Sequence, residues 1–168
     1  MHRRQMLAAS AALAAAMPLA ARAQQSAMMV DGTMDLQKAP AILNGTFAKL
    51  SSQAALERAE NAAVRTFAEL EVAEQTAVAT AFGVPPDAPP QIAQDKAALL
   101  DHLQALSGPE FDRAYVDAQI AGHQELRPIH EAYAANGSDP MARGASMVGV
   151  TGIDSHLLIL RGIQAQLG

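Results

Sequence analysis

From Pro40 to the C-terminus, apolar side chains recur every three or four positions, and no segment alternates like a strand between hairpin turns. That period gathers them on one side of an α-helix. Leu43, Phe47, Leu50 and Ala54 form such a face, with Ser51 turned inward beside Phe47 and Ala54. Asn61 is a helix-starting residue, so a second helix, or a kinked continuation of the first, runs from it to Gly83. "GVPPDAPP" holds four prolines in eight residues and must be a connection. "QIAQDKAALLDHLQAL" reads as a shorter helix. Ser107 and Glu110 then have capping-box spacing around Pro109, and the helix they open stops at Asn136-Gly137. Asp139 and Pro140 start the last helix, which runs to about Leu167, where Gly144, Gly149 and Gly152 either weaken the helix or let a neighbour approach closely. Four long helices and one short one predict an all-α chain: an up-and-down four-helix bundle with one extra short helix, occupying residues 39–168.

The start of the chain breaks the pattern. Arg3 and Arg4 precede an apolar, Ala-rich run from Met6 to Ala20, and Ala21-Arg22-Ala23 has the small–x–small form that signal peptidase reads. Residues 1–23 are therefore read as a signal peptide, cleaved near Ala23-Gln24. The run falls short of the ~20 residues of a membrane span. "RRQML" also resembles a twin-arginine signal, so both that route and the general secretory route are compatible with it. Either route predicts a periplasmic or secreted protein. Residues 24–38 lack periodicity and read as a flexible lead-in. Met28, Met29 and Met34 offer thioethers to a soft metal there, without the histidine or repeated motif that would support one.

Composition narrows the classes. Half of the residues are hydrophobic but only 4% are aromatic, which suits close helix packing. There is no cysteine, so disulfides, thiolate metal sites and a lipoprotein anchor are excluded. Net charge is −5, and removing the three arginines of residues 1–23 takes it to −8. Such a chain is a poor partner for nucleic acid or anionic lipid. The mature chain has no stretch long and apolar enough to span a membrane, and a protein partner or homo-oligomer is compatible with everything above.

Chemistry enters through polar residues on apolar faces. At about 100° per residue, Asp112, Gln119, His123 and His130 border the apolar stripe of their helix, but they spread over about 27 Å along its axis. His123 and His130 alone are about 10.5 Å apart and cannot share one ion. Tyr115, Gln119 and His123 can belong to one cluster. In the second helix Glu71, Glu74 and Gln75 fall on the face that carries Phe67, and in the last helix His156 lines up with Ile153, Leu160 and Ile163. Buried polar groups need partners, so these residues are expected to meet. One reading is a hydrogen-bonded Glu–His–Tyr network that fixes helix register. The other is a carboxylate–histidine metal site. Glu-x-x-His is absent, which argues against a di-metal site. No cofactor is required by the sequence. If a divalent ion binds, Glu71, Glu74, His123 and His156 are its candidate ligands, with Gln75, Tyr115 and Gln119 as the surrounding polar network. Those ligands must then converge within ~2–3 Å of one point.

Asp101-His102 and His130-Glu131 read as surface. Ser155 beside His156 is no hydrolase triad, because successive helical residues diverge. No residue is assigned a catalytic role. A cavity for an apolar ligand, permitted by Gly122, Gly149 and Gly152, is a further option.

The segments "FAELEVAEQTAV", "FDRAYVDAQIAGHQEL" and "DSHLLIL" carry a resemblance. Phe67-Ala68, Phe111-Asp112 with Tyr115, His123 and His156 follow in the order seen in the domain-of-unknown-function 4142 family, and the likeness covers about residues 36 to 167. That family comprises exported bacterial proteins, often described as outer-membrane proteins. The resemblance implies a ferritin-like helical bundle with no established activity. Many members carry Asp-His where this chain has Glu74-Gln75, which removes one candidate histidine ligand. The functional expectation is an exported helical bundle serving as a structural or interaction protein of the cell envelope. Its alternative is a metal-binding or metal-dependent redox protein.

Overall fold

The computed structural model describes residues 29–30, 33–34 and 36–168, so the segment read as a signal peptide and most of that read as a lead-in lie outside the described residues. Five helices follow one another: α1 (Lys38–Arg58), α2 (Ala62–Ala81), α3 (Gln94–Ala105), α4 (Gly108–Asn136) and α5 (Pro140–Leu167). Ahead of them, Met29–Val30 pairs antiparallel with Thr33–Met34, a two-residue ladder within the stretch read as a lead-in.

The helix boundaries have local causes. Asn61 accepts from the backbone N–H groups of Ala63 and Val64, so α2 is a separate helix rather than a continuation of α1. Gly83, at φ 81°, ends it in the left-handed conformation that costs glycine least. Asp139 caps α5 through Met141 and Ala142, with Pro140 at its first position. The start of α4 departs from expectation. Ser107 makes no side-chain cap bond, because Gly108 follows it at φ 60° and turns the chain differently from a capping-box entry.

The inward face of α1 is also rotated from the one expected. Phe47, Ser51 and Ala54 are buried, but Leu43 and Leu50 are only half-buried. The fully buried positions include Ala41, Gly45, Ala48, Ser52 and Ala55. Small residues are what let α1 lie close against α2 and α4.

Four helices form the bundle, with α1 beside α2 and α4, and α5 beside α2 and α4. Ser52 meets Tyr115 near the start of α4, so α1 runs antiparallel to α4. The pairs Asn61–Asp112 and Phe82–Tyr133 show that α2 runs parallel to α4, diagonally across the bundle. Every neighbouring pair is thus antiparallel. The connection that carries α3 returns the chain along the bundle between α2 and α4, and α3 packs on α1 and α4. One apolar cluster, around Phe47, Phe67, Phe111 and Leu160, fills one part of the bundle. Another, around Phe82 and Tyr133, fills the end where α2 and α4 finish. Glu71, His123 and His156 lie between them, next to Phe67 of the first cluster.

Candidate functional site

Glu71 of α2, His123 of α4 and His156 of α5 meet in the middle of the bundle, all buried. Glu71 Oε2 lies 3.1 Å from His156 Nδ1 and 3.4 Å from His123 Nε2, and these two nitrogens are 3.1 Å apart. Each helix delivers one donor, because each residue lies on the apolar stripe of its own helix. Phe67 covers the cluster, with ring centres 5.2 Å from His156 and 6.0 Å from His123.

The outer atoms of each group fix which way the inner atoms point. His123 Nδ1 lies 2.8 Å from the carbonyl of Gln119, which can only accept, so this nitrogen carries the hydrogen. In the neutral ring Nε2 then turns a lone pair inward. His156 Nε2 faces Glu74 Oε2 at 3.3 Å, so the same logic leaves a lone pair on its Nδ1. Gln75 Nε2 donates to Glu71 Oε1 at 3.0 Å and orients the carboxylate. Two ring nitrogens and a carboxylate oxygen thus converge; with both rings neutral and so oriented they offer two lone pairs and an anionic oxygen, and a proton shared between the nitrogens is the other occupant of the same point. Although two ring nitrogens are close, Glu71 Oε2 is buried and receives no hydrogen bond of acceptable geometry.

The electrostatics agree. Burial pushes the Glu71 carboxyl up, but the adjacent His123 and His156 outweigh it and hold it well below the ordinary carboxylate range. Contact with Glu71 raises His156 above its usual value against the opposing effect of burial, and the charges of Glu71 and Glu74 add to this. The cluster favours an ionised carboxylate with one positive charge beside it, which a proton or a metal cation can supply.

A tetrahedral ion bound at about 2.0–2.1 Å separates its ligands by about 3.3 Å. The three observed separations of 3.1, 3.1 and 3.4 Å match one face of such a tetrahedron. The donors fit a divalent ion, and the partners behind them are those that metal-bound histidines generally have: a carbonyl behind His123 and a carboxylate behind His156.

Other candidates are placed differently. Glu74 touches the far nitrogen of His156, so it stands behind that ligand and does not share its point of convergence. Tyr115 and Gln119 turn away from the glutamates towards α1. Tyr115 shares a 2.8 Å hydrogen bond with Ser52, and Gln119 donates to Ser51, Ser52 and the carbonyl of Ala48. Burial pushes the Tyr115 phenol far up. Asp112 is remote from the cluster, accepting from the backbone N–H of Asn61 at 2.9 Å. Asp101 and His102 are exposed, as expected, but His130 is not a surface residue. It is 3% exposed, 3.1 Å from Ser146 Oγ and edge-on to Phe82. Phe82, just past the end of α2, reaches it, which the pattern of α4 alone does not reveal. Ser52 and Ser146 were missed. The row of small residues Gly45, Ala48, Ser52 and Ala55, spaced three or four apart, was the available sign for Ser52.

Fold and site together define an all-α bundle that buries a carboxylate and two imidazoles between three of its helices. The chain belongs to the domain of unknown function 4142 family (DUF4142), whose sequence model matches residues 19–158 and so spans all three groups. No curated protein and no solved structure matches it.

Proposed function

We propose that this protein is an exported metal-binding bundle of the bacterial cell envelope. Glu71, His123 and His156 hold a single divalent first-row transition ion, with Glu74, Gln75 and the Gln119 carbonyl orienting them. The observation that carries this reading is the convergence of two ring nitrogens on a buried carboxylate oxygen that receives no hydrogen bond. Two nitrogens and one oxygen suit zinc or iron, and three protein ligands leave one tetrahedral position for water or another ligand. An ion so held supplies Lewis-acid chemistry, or redox chemistry where the metal has two accessible states. Export rests on the three-part pattern of residues 1–23, and a mature N-terminus at Gln24 in the periplasmic fraction is the expected result of sequencing.

The test is elemental analysis of the purified protein, together with cobalt(II) titration. Near-stoichiometric metal and the intense visible bands of tetrahedral cobalt are expected, with both lost in His156→Ala and Glu71→Gln. A metal-free protein that also fails to take up cobalt or zinc sinks the proposal. The 3.1 Å approach of His156 to Glu71 then favours the second reading, a proton in place of the ion and a network that fixes helix register.

A further inference from the structure

A second site lies on the α1 side of α2, away from α5. There α1, the C-terminal half of α2 and the proline-rich connection enclose a cleft of about 330 Å³. Small-molecule sites are commonly ~300–1,000 Å³. Ile42, Leu50, Val78 and Phe82 supply apolar walls, and Pro85, Pro86, Pro89 and Pro90 line the opposite side. A proline wall has fixed φ and no N–H groups, so it is preformed and asks little of a ligand. The threonine hydroxyls in the cleft already donate within their own helices: Thr46 to Ile42, Thr76 to Val72 and Thr80 to Thr76. They add no demand for polar partners. The position differs from that expected of an internal cavity, since Gly122, Gly149 and Gly152 do not line it.

One feature gives the cleft a sign. Lys49 is the sole charged residue among those that line it, and it forms no ion pair among the described residues. It is half-buried on the α1 wall. A cation at the edge of an apolar slot complements a molecule with an apolar body and one acid group, the amphipathic arrangement that lysine stems tolerate well. A cationic amphiphile would meet Lys49 with no lining carboxylate to offset the repulsion, since Asp87 of the connection lies between lining residues without lining the cleft itself. The chain's overall negative charge acts weakly at this point, because charges more than ~10 Å away are largely screened at 0.1 M salt.

We infer that this cleft binds one amphiphilic carboxylate, an apolar body of about ten carbons with its acid group at Lys49. The cleft touches the metal cluster only through Gln75, which lines it and donates to Glu71, and the pairing of an acid group with Lys49 does not depend on whether an ion binds there.

Isothermal titration calorimetry with decanoate, below its micelle-forming concentration, tests this on the purified protein. Saturable one-to-one binding is expected, with decylamine at least tenfold weaker. Lys49→Glu should weaken decanoate at least tenfold, whereas Lys49→Arg should stay within about threefold of the wild type. Ala79→Trp, which fills the cleft, should abolish binding while circular dichroism shows the helical fold intact. Should Ala79→Trp fail to fold, the contrast between the two Lys49 variants decides alone. The inference is overturned by an absence of saturable decanoate binding, by equal affinity in Lys49→Glu, or by decylamine binding as tightly as decanoate.

Discussion

Lys38 is the most buried cation of the described residues, and its partners explain why it is tolerated there. Its ammonium lies 2.6 Å from Asp139 Oδ2 and 3.2 Å from the carbonyl of Phe82. One side chain thus ties the start of α1 to the end of α2 and the start of α5. Replacing it in Lys38→Met leaves the Phe82 carbonyl and Asp139 without that donor. Asp139 can still turn to water, so a loss of about 1–3 kcal/mol is expected in urea denaturation. The hydrogen bond from Lys38, acting against a smaller effect of burial, lowers the Asp139 carboxyl below its ordinary value of 3.8. A carboxyl held lower in the folded than in the unfolded chain adds stability that is complete above its unfolded value. That stability is lost as the pH falls through the folded value. The deficit of Lys38→Met should therefore be greatest near neutral pH and shrink below about pH 4. His130 behaves in a related way for a different reason. Burial lowers its imidazole below the usual 6.5, so the unfolded chain takes up that proton first. Its share of stability is complete above that value and is lost as the pH drops below it, down to the folded value. Thermal melts at pH 7.5 and 5.5 should show a smaller acid loss for His130→Gln than for the wild type. An equal loss in both would remove His130 from the account.

At the scale of the helix, α1 shows where hydrophobic periodicity misleads. It ranks positions by size and hydrophobicity, and so selects Leu43 and Leu50. Close helix contact selects smallness instead, and Gly45, Ala48, Ser52 and Ala55 face inward. Gly45 marks the tightest point, since a Cβ there would come within 2.6 Å of Gln75 Oε1. The same Gln75 orients Glu71 through its other amide atom. Gly45→Ala gains about 0.5–1 kcal/mol of helix propensity, which offsets the cost of moving a side-chain tip. Its melting temperature should stay within a few degrees of the wild type, while zinc affinity by calorimetry falls several-fold as Gln75 is displaced. Unchanged zinc affinity would show that Gln75 does not orient the carboxylate. The helices α2, α4 and α5 were more legible. Phe67, Phe111, Tyr115, Ile153, Leu160 and Ile163, on their expected faces, do form the core, and Glu71, Gln75, His123 and His156 are buried beside them. What the helix pattern could not show was the order of contact, because Tyr115 and Gln119 place their hydrogen bonds on α1 and not on the glutamates of α2.

For the molecule as a whole, the crossover between α2 and α4 is what brings the three donors together. It makes α2 and α4 parallel diagonals, with Glu71 and His123 at matching heights, while the antiparallel α5 presents His156 at the same level. An ion bound there would cross-link three helices and stabilise the native state alone. At free zinc of 100 times Kd the gain is about 2.7 kcal/mol, or roughly 5–10 °C in Tm for a chain of this size. Differential scanning calorimetry should show that shift on adding zinc and its reversal by chelator, and His156→Ala should show neither. Identical curves with and without zinc would leave the cluster a protonated network.

The helical class, the five segments, most of their caps and the inward placement of Glu71, His123 and His156 follow from local pattern alone. They do so because capping chemistry and the 3.6-residue period act within one helix. Tertiary structure decided the rest: which face of α1 is inside, where His130 goes, that Glu74 stands behind His156, and that three donors meet within 3.4 Å. Those outcomes depend on how helices distant in sequence are aligned and how closely they approach, and side-chain volumes matched across the interfaces set both.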